Sequence, residues 1–342
     1  MADNLLEVTG LRVHFDTPDG VARAVDGVSY ELGPGETLGV VGESGSGKSV
    51  AALAIMRLIP SAGRIEGGDV LLRGQSLLAM KEDEIRRIRG NDIAMIFQDP
   101  MMSLNPVNRI GHQIAEQVMS HKGMTRKEAM AHAVELLELV GIPQAAARLR
   151  DYPHQFSGGM RQRVMIAMAV SCDPAILIAD EPTTALDVTI QAQVLELMEC
   201  LQKRTGMAII LISHDLGVAA DAADNVLVMY AGRAVEFGTC EEVFYRPSHP
   251  YTWGLMDSIP RYDADAHAAL CPIAGQPPSL INVPTGCAFH PRCQYAKEVC
   301  RVQEPPVRSV GGRHTASCHF AGDPGFARGA SACTGVSAGW AS

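Results

Sequence analysis

The sequence predicts an α/β fold with a parallel-sheet core, and three stretches predict it. "ETLGVVGESGSGKSVAALAIMRLI" runs from an apolar, β-favouring segment through a glycine-rich loop into helical spacing. "PAILIADEP" and "MAIILISHD" are short apolar runs that end in polar residues, as buried parallel strands do. Open α/β sheets place their ligands beyond those carboxyl ends.

The first stretch contains "GESGSGKS", residues 42–49, which fits the spacing G-x-x-x-x-G-K-[ST] of a phosphate-binding loop. Glycines let backbone N–H groups converge on phosphate oxygens without Cβ clashes, and the helix N-terminus adds partial positive charge. Lys48 reaches the β- and γ-phosphates in this reading, and Ser49 ligates Mg²⁺. The nucleotide-binding set is Gly42, Ser44, Gly45, Gly47, Lys48, Ser49 and position 50, which is Val50. The following helix is expected to present Ala52, Leu53, Met56 and Ile59 on one side. A chance Gly/Ser turn would lack this strand–loop–helix context.

The second stretch ends in Asp180 and Glu181. An aspartate there can hold Mg²⁺ through water, and the next glutamate can polarise an attacking water. Many strands end in solvated carboxylates, so the pair gains meaning only beside the phosphate loop. The third stretch ends in His214. A lone histidine is more often structural, but this one leaves a buried strand at the level of Glu181, where it could orient the water. Glu181 and His214 are the catalytic candidates.

The 342 residues are 47% hydrophobic and 20% charged, with net charge −9. An acidic balance argues against a general nucleic-acid grip. "MADNLLEVTG" lacks the basic and apolar regions of a signal peptide, and no apolar run approaches the ~18 residues of a membrane span. The chain reads as cytosolic, with any membrane link made through a partner. Residues 100–156 read as mostly helical. "TRKEAMAHAVELLELVG" opens with Thr125 and Glu128 as a capping box and closes at Gly141. In "YPHQFSGGMRQRVMIAMAV", Ser157 is a natural N-cap, and Gly158 and Gly159 leave the helix N-terminus bare for a phosphate. Alone, this is simply a well-capped helix.

The order of these elements resembles the ATP-binding cassette (ABC) ATPases, whose signature reads S-G-G at this place. The resemblance implies a P-loop NTPase cassette with a parallel-sheet core, an antiparallel β subdomain and a helical subdomain. It implies that Gln98 in "MIFQDP" is the Q-loop glutamine, Asp187 in "TTALDVT" belongs to the D-loop and His214 is the switch histidine. Phe15 falls where the family stacks an aromatic on adenine; its other reading is a core strand aromatic. Met160 departs from the frequent S-G-G-Q signature while keeping Ser157 and the backbone donors. In this family the signature of one cassette completes the ATP site of another. One cassette per chain then requires a second chain. The loop "QDPMMSLNP", residues 98–106, is either a connector or the contact to a membrane subunit.

The implied organisation is a cassette over residues 1–245, with its helical subdomain about 99–165. A small cysteine-rich extension covers 246–320, and a Gly/Ala/Ser-rich tail covers 321–342. Of nine cysteines, Cys172, Cys200 and Cys240 read as small buried apolar groups. Cys287, Cys293, Cys300 and Cys318 crowd into 32 residues at a spacing that is neither a zinc knuckle nor a ferredoxin run. Spacing leaves open a metal centre, reduced structural thiols or incidental clustering, with His290, His314 and His319 nearby as substitutes. "HPYTWGLMDSIP", "GQPPSL" and "GCAFHPRC" resemble the extension of the dipeptide/oligopeptide/nickel branch of ABC importers. That branch implies a four-iron, four-sulfur cluster on Cys287, Cys293, Cys300 and Cys318, with zinc as the alternative, and leaves Cys271 and Cys333 outside it. It implies an ATP- and Mg²⁺-dependent motor for dipeptide or oligopeptide import, peripheral on the cytoplasmic face of the inner membrane. Its partners would be a related, non-identical ATPase, two permease subunits and, indirectly, a periplasmic or extracellular substrate-binding protein, with no nucleic acid. The alternatives are nickel import and a soluble ABC ATPase of ribosomes, DNA or cluster assembly. A small-molecule kinase would leave the S-G-G loop and His214 without purpose.

Overall fold

The computed structural model of the chain describes residues 4–98, 103–184, 186–258 and 272–326. Two compact units are threaded by several segments each. Met1–Leu5, Leu32–Thr37 and Ser76–Ile212 form one; Leu6–Glu31, Leu38–Gln75 and Ser213–Ser342 form the other.

The first unit joins parallel strands to helices. Ile93–Ile96 pairs with Ile176–Asp180, which pairs in turn with Ala208–Ser213, all parallel. Ile176, Leu177, Ile178 and Ala179 are fully buried, as uninterrupted apolar runs in a covered parallel sheet require. Helices Ile110–Lys122, Arg126–Leu139 and Gly158–Val170 pack on one another. The expected capping box is present: the Thr125 hydroxyl accepts from the Glu128 N–H, and the Glu128 carboxylate accepts from Thr125. Gly141 follows the helix at φ +74°, the left-handed close that glycine supplies. Ala129, Ala133, Leu136, Leu137 and Val140 are buried.

The second unit holds a sheet in which Leu6–Thr17 lies between Gly20–Leu32 and the antiparallel Gly63–Leu72. A further ladder starts with Thr37–Val41, parallel to Asn225–Tyr230. It continues antiparallel through Arg233–Thr239, His314–Ala316 and Arg308–Gly311. The last two strands come from the cysteine-rich extension, where the sequence predicted no particular element. Gly311 (φ +147°) and Gly312 (φ +56°) turn the chain between them, and Ala316 pairs opposite Glu236. The extension is therefore hydrogen-bonded into the ladder.

The helix after the phosphate loop departs from expectation. It spans Lys48–Ile55 and buries Ala51, Ala52, Ala54 and Ile55, while Leu53 and Ile59 are only half-buried. It ends after eight residues, with Arg57 left-handed (φ 51°), so the 52/53/56/59 stripe never forms along one helix. Cys200 is exposed, contrary to the buried-thiol reading; Cys172 is buried and Cys240 half-buried. Residues 99–102 of the loop 98–106, residues 259–271 with Cys271, and residues 327–342 with Cys333 lie outside the described residues. No helix among the described residues is long and apolar enough to cross a membrane.

The extension is anchored by one buried carboxylate. Glu236, with a fully buried side chain, accepts from Ser248 N–H (2.6 Å), His249 N–H (3.1 Å) and His314 Nε2 (2.7 Å). These donors lie in the segment after the ladder and in the added strand. Glu236→Ala would strand all three, at a cost of about 3–5 kcal/mol. Denaturant unfolding followed by fluorescence of buried Trp253 is expected to show that loss. An unchanged midpoint would contradict the anchoring role.

Candidate functional site

In the second unit the phosphate loop is shaped by glycines that no other residue could replace. Gly42 has φ +150°, and a Cβ there would lie 2.2 Å from the Met229 carbonyl oxygen. Gly47 has φ +99°, and its Cβ would lie 2.1 Å from the Ala24 oxygen. Gly47 is also the N-cap of the helix that begins at Lys48. Ser44 and Gly45 form the exposed crest of the loop. Lys48 is only 5% exposed, and its ammonium donates to the carbonyls of Gly42 (2.7 Å) and Glu43 (2.9 Å). The lysine is thus held along the loop, with its charge beside the backbone that would surround a phosphate. Ser46 buries a hydroxyl that meets no hydrogen-bond partner among the described residues. Ser49 is half-buried in the first helical turn. Position 50 is corrected: Val50 carries no hydroxyl and can offer a phosphate only its backbone N–H, so Ser49 is the loop's terminal hydroxyl.

Phe15 stands on the strand Leu6–Thr17, paired opposite Gly63. A Cβ on Gly63 would come within 2.6 Å of the ring edge, so the glycine makes room for the aromatic. The ring is half-buried, with part of its surface left open. His214 follows the strand Ala208–Ser213 and is exposed. Next to it, the Asp215 N–H donates to Ser213 Oγ (2.9 Å), and the Asp215 carboxylate caps the following helix at Gly217 N–H (2.8 Å). These contacts fix the backbone from which the imidazole projects.

In the first unit Asp180 ends its strand with its side chain buried. Glu181 follows at φ +47°, an uncommon conformation for a non-glycine residue. Its carboxylate Oε2 accepts from Gln98 Nε2 (2.8 Å) and Thr184 Oγ1 (2.9 Å). Two residues chosen from the sequence, Gln98 and Glu181, thus meet directly. Thr184 was missed, because a threonine three residues after a strand end carries no periodic signal. Ser157 caps the helix Gly158–Val170 as expected, accepting from the Met160 N–H. Ser157 and Gly158 are exposed, and a Cβ on Gly158 would meet nothing within 4 Å. This helix N-terminus is bare and accessible. Asp187 caps the helix Val188–Thr205 through Ile190 N–H (3.0 Å).

The four extension cysteines line one cavity with Phe289, Tyr295, Phe320 and Phe326. Burial pushes the Cys287 thiol up to about 11 and Cys293 to about 12, with the neighbouring cysteines adding to the rise. Thiols that stay protonated pack as small apolar groups. Among the described residues, no three His, Cys, Asp or Glu side chains stand close enough together to hold a metal ion. The substitute ligands separate. His290 and His319 line the cavity, whereas His314 is committed to Glu236.

Residues 25–184 match the ABC transporter family, and residues 235–300 match the oligopeptide/dipeptide transporter C-terminal region. The oligopeptide transport ATP-binding protein OppD of Salmonella typhimurium is 51% identical over 317 residues, 93% of this chain and 94% of the relative. The dipeptide transport ATP-binding protein DppD of Lactococcus lactis subsp. cremoris is 52% identical over 315 residues, 92% of this chain and 90% of the relative. Among solved structures, CbiO1 of Clostridium perfringens, part of the CbiONQ ABC transporter complex, aligns at TM-score 0.61 and 26% identity, covering 71% of this chain and 92% of that one. With both matched regions in one chain, and relatives this similar over most of its length, the chain belongs to the ABC transporter ATP-binding proteins of the oligopeptide/dipeptide type.

Proposed function

We propose that the chain is the ATP-hydrolysing motor subunit of a peptide importer, bound peripherally to membrane permeases on the cytoplasmic face. The observation that carries the reading is the pairing of a glycine-shaped phosphate loop with a second, accessible helix N-terminus at Ser157. A single chain has no evident use for the second phosphate site. Two cassettes closing on each other use both. In this account Gly42, Ser44, Gly45, Gly47 and Lys48 cradle the phosphates, and Ser49 and Asp180 hold Mg²⁺. Phe15 stacks on the base, Glu181 orients and deprotonates the water, and His214 contacts the γ-phosphate. Gln98 is already hydrogen-bonded to Glu181, and it carries the state of that carboxylate toward the permease-contacting loop. The partner cassette is a related, non-identical chain. The cargo is a dipeptide or oligopeptide, selected by the permeases and a binding protein.

The donor set around the extension cavity, four cysteines in one stretch, suits a soft thiolate-bound centre. Cys287, Cys293, Cys300 and Cys318 would hold a four-iron, four-sulfur cluster, or zinc, only by drawing closer than they stand, since among the described residues no three such side chains are near enough to share a metal ion; the group would then cross-link the extension.

Co-expression tests both parts. The chain is expected to pellet with membranes only when its permease subunits are present, and anaerobically purified chain is expected to carry about four iron and four sulfide. Membrane association without permeases would contradict the motor assignment. Colourless protein with one zinc would replace the cluster, and protein free of both metals would remove the centre.

A further inference from the structure

The extension reaches the phosphate loop through a contact that no motif announces. Arg292 lies in the single turn His290–Arg292, within the stretch that carries Cys287 and Cys293. Its side chain is 5% exposed and its guanidinium forks onto Glu43, with Nη1 to Oε2 at 2.7 Å and Nη2 to Oε1 at 2.9 Å. Glu43 is the first variable residue of "GESGSGKS". The fork is itself fixed: Nε donates to the Ala274 carbonyl (3.0 Å), and the guanidinium lies 5.7 Å from the centre of the Tyr230 ring. A second hold comes from Tyr251, whose hydroxyl accepts from the Glu43 N–H at 2.8 Å. Tyr251 is fully buried and packs against Tyr230 and Phe289. The remaining polar group of Glu43, its carbonyl, accepts from Lys48 Nζ.

We propose that Arg292 and Tyr251 are positioning residues for nucleotide binding: they clamp Glu43, and through it set the loop backbone and the lysine that grip the phosphates. The physical reason is preorganisation. A phosphate loop binds through converging backbone N–H groups, and a loop free to wander must be ordered by the ligand at the expense of affinity. A planar, bidentate guanidinium supplies that order where a point charge would not. Nucleotide affinity in the cassette then depends on a module about 250 residues further along the chain, as the sequence separation of 249 between Glu43 and Arg292 shows.

The inference rests on the nucleotide-binding reading of the loop, and the experiment separates the two. A fluorescent ATP analogue with Mg²⁺ is titrated into the purified full chain and its variants, with thermal melting recorded for each. Lys48→Ala is expected to abolish binding; unchanged affinity there would sink the loop reading and the clamp with it. Arg292→Ala and Glu43→Gln are each expected to weaken binding by about fivefold or more. The double variant should be no weaker than either, because both remove one contact. Arg292→Lys, which keeps the charge and loses the fork, should recover part of the affinity. Tyr251→Phe should weaken binding without shifting the melting temperature by more than a few degrees. Glu43→Gln is nearly isosteric on a half-buried loop position and keeps the fold, so it decides the matter even if Arg292→Ala unfolds. Wild-type affinity in Glu43→Gln, or losses that multiply in the double variant, would overturn the clamp.

Discussion

Glu181→Gln is expected to leave MgATP binding within about threefold of wild type and to lower turnover by about 10²–10⁴-fold, the range a positioned general base contributes. The amide cannot accept the proton that an attacking water must lose. It also changes what it offers to neighbours: Gln98 and Thr184 both donate to Oε2, and a glutamine can accept from them only through its single carbonyl oxygen. The backbone, already strained at φ +47°, is unaltered by the exchange, so the fold is expected to hold. Binding and turnover are measured on the same preparation. Turnover near the wild-type rate would remove the assigned role.

The second large effect is expected at the bare helix N-terminus. Gly158→Glu places a carboxylate in open space, since a Cβ there meets no atom within 4 Å. An acidic residue in the first turn complements the helix dipole, so the isolated chain is expected to fold as well as wild type or gain about 0.3–1 kcal/mol. The same carboxylate would repel the phosphate of a nucleotide carried by the facing cassette. Turnover in the assembled transporter is expected to fall by about 10²-fold or more, the scale of losing one donor to a developing oxyanion, with added like-charge repulsion. Affinity of this chain alone for MgATP should be unchanged, because the damaged half-site serves the partner's nucleotide. A variant both stable and active would show that this N-terminus meets no phosphate.

The site was legible where one residue type answers one local demand. Glycines at 42 and 47 are required by positive φ and by carbonyls at about 2 Å, and Thr125, Ser157 and Glu128 cap helices through their own side chains. The buried strands were legible as apolar runs. The face of the helix Lys48–Ile55 was not, because a short helix covered on several sides has no single stripe to read. The Arg292–Glu43 ion pair was invisible because partners 249 residues apart leave no spacing in the chain. The strands Arg308–Gly311 and His314–Ala316 were missed beneath the cysteine pattern, although "VGGR", which ends the first strand and turns at Gly312–Arg313, is a hairpin signal. The cysteines were legible as a group and line one cavity, but their spacing says nothing about what binds there.

The central claim is that ATP is gripped by the phosphate loop of one cassette and the Ser157–Gly159 helix end of another. Light scattering on Glu181→Gln chain mixed with its partner cassette tests it most directly. MgATP is expected to produce a stable dimer that Glu181→Gln/Gly158→Glu no longer forms at the same nucleotide occupancy. A dimer that persists in the double variant, or full ATP turnover by strictly monomeric Gly158→Glu chain, would contradict it.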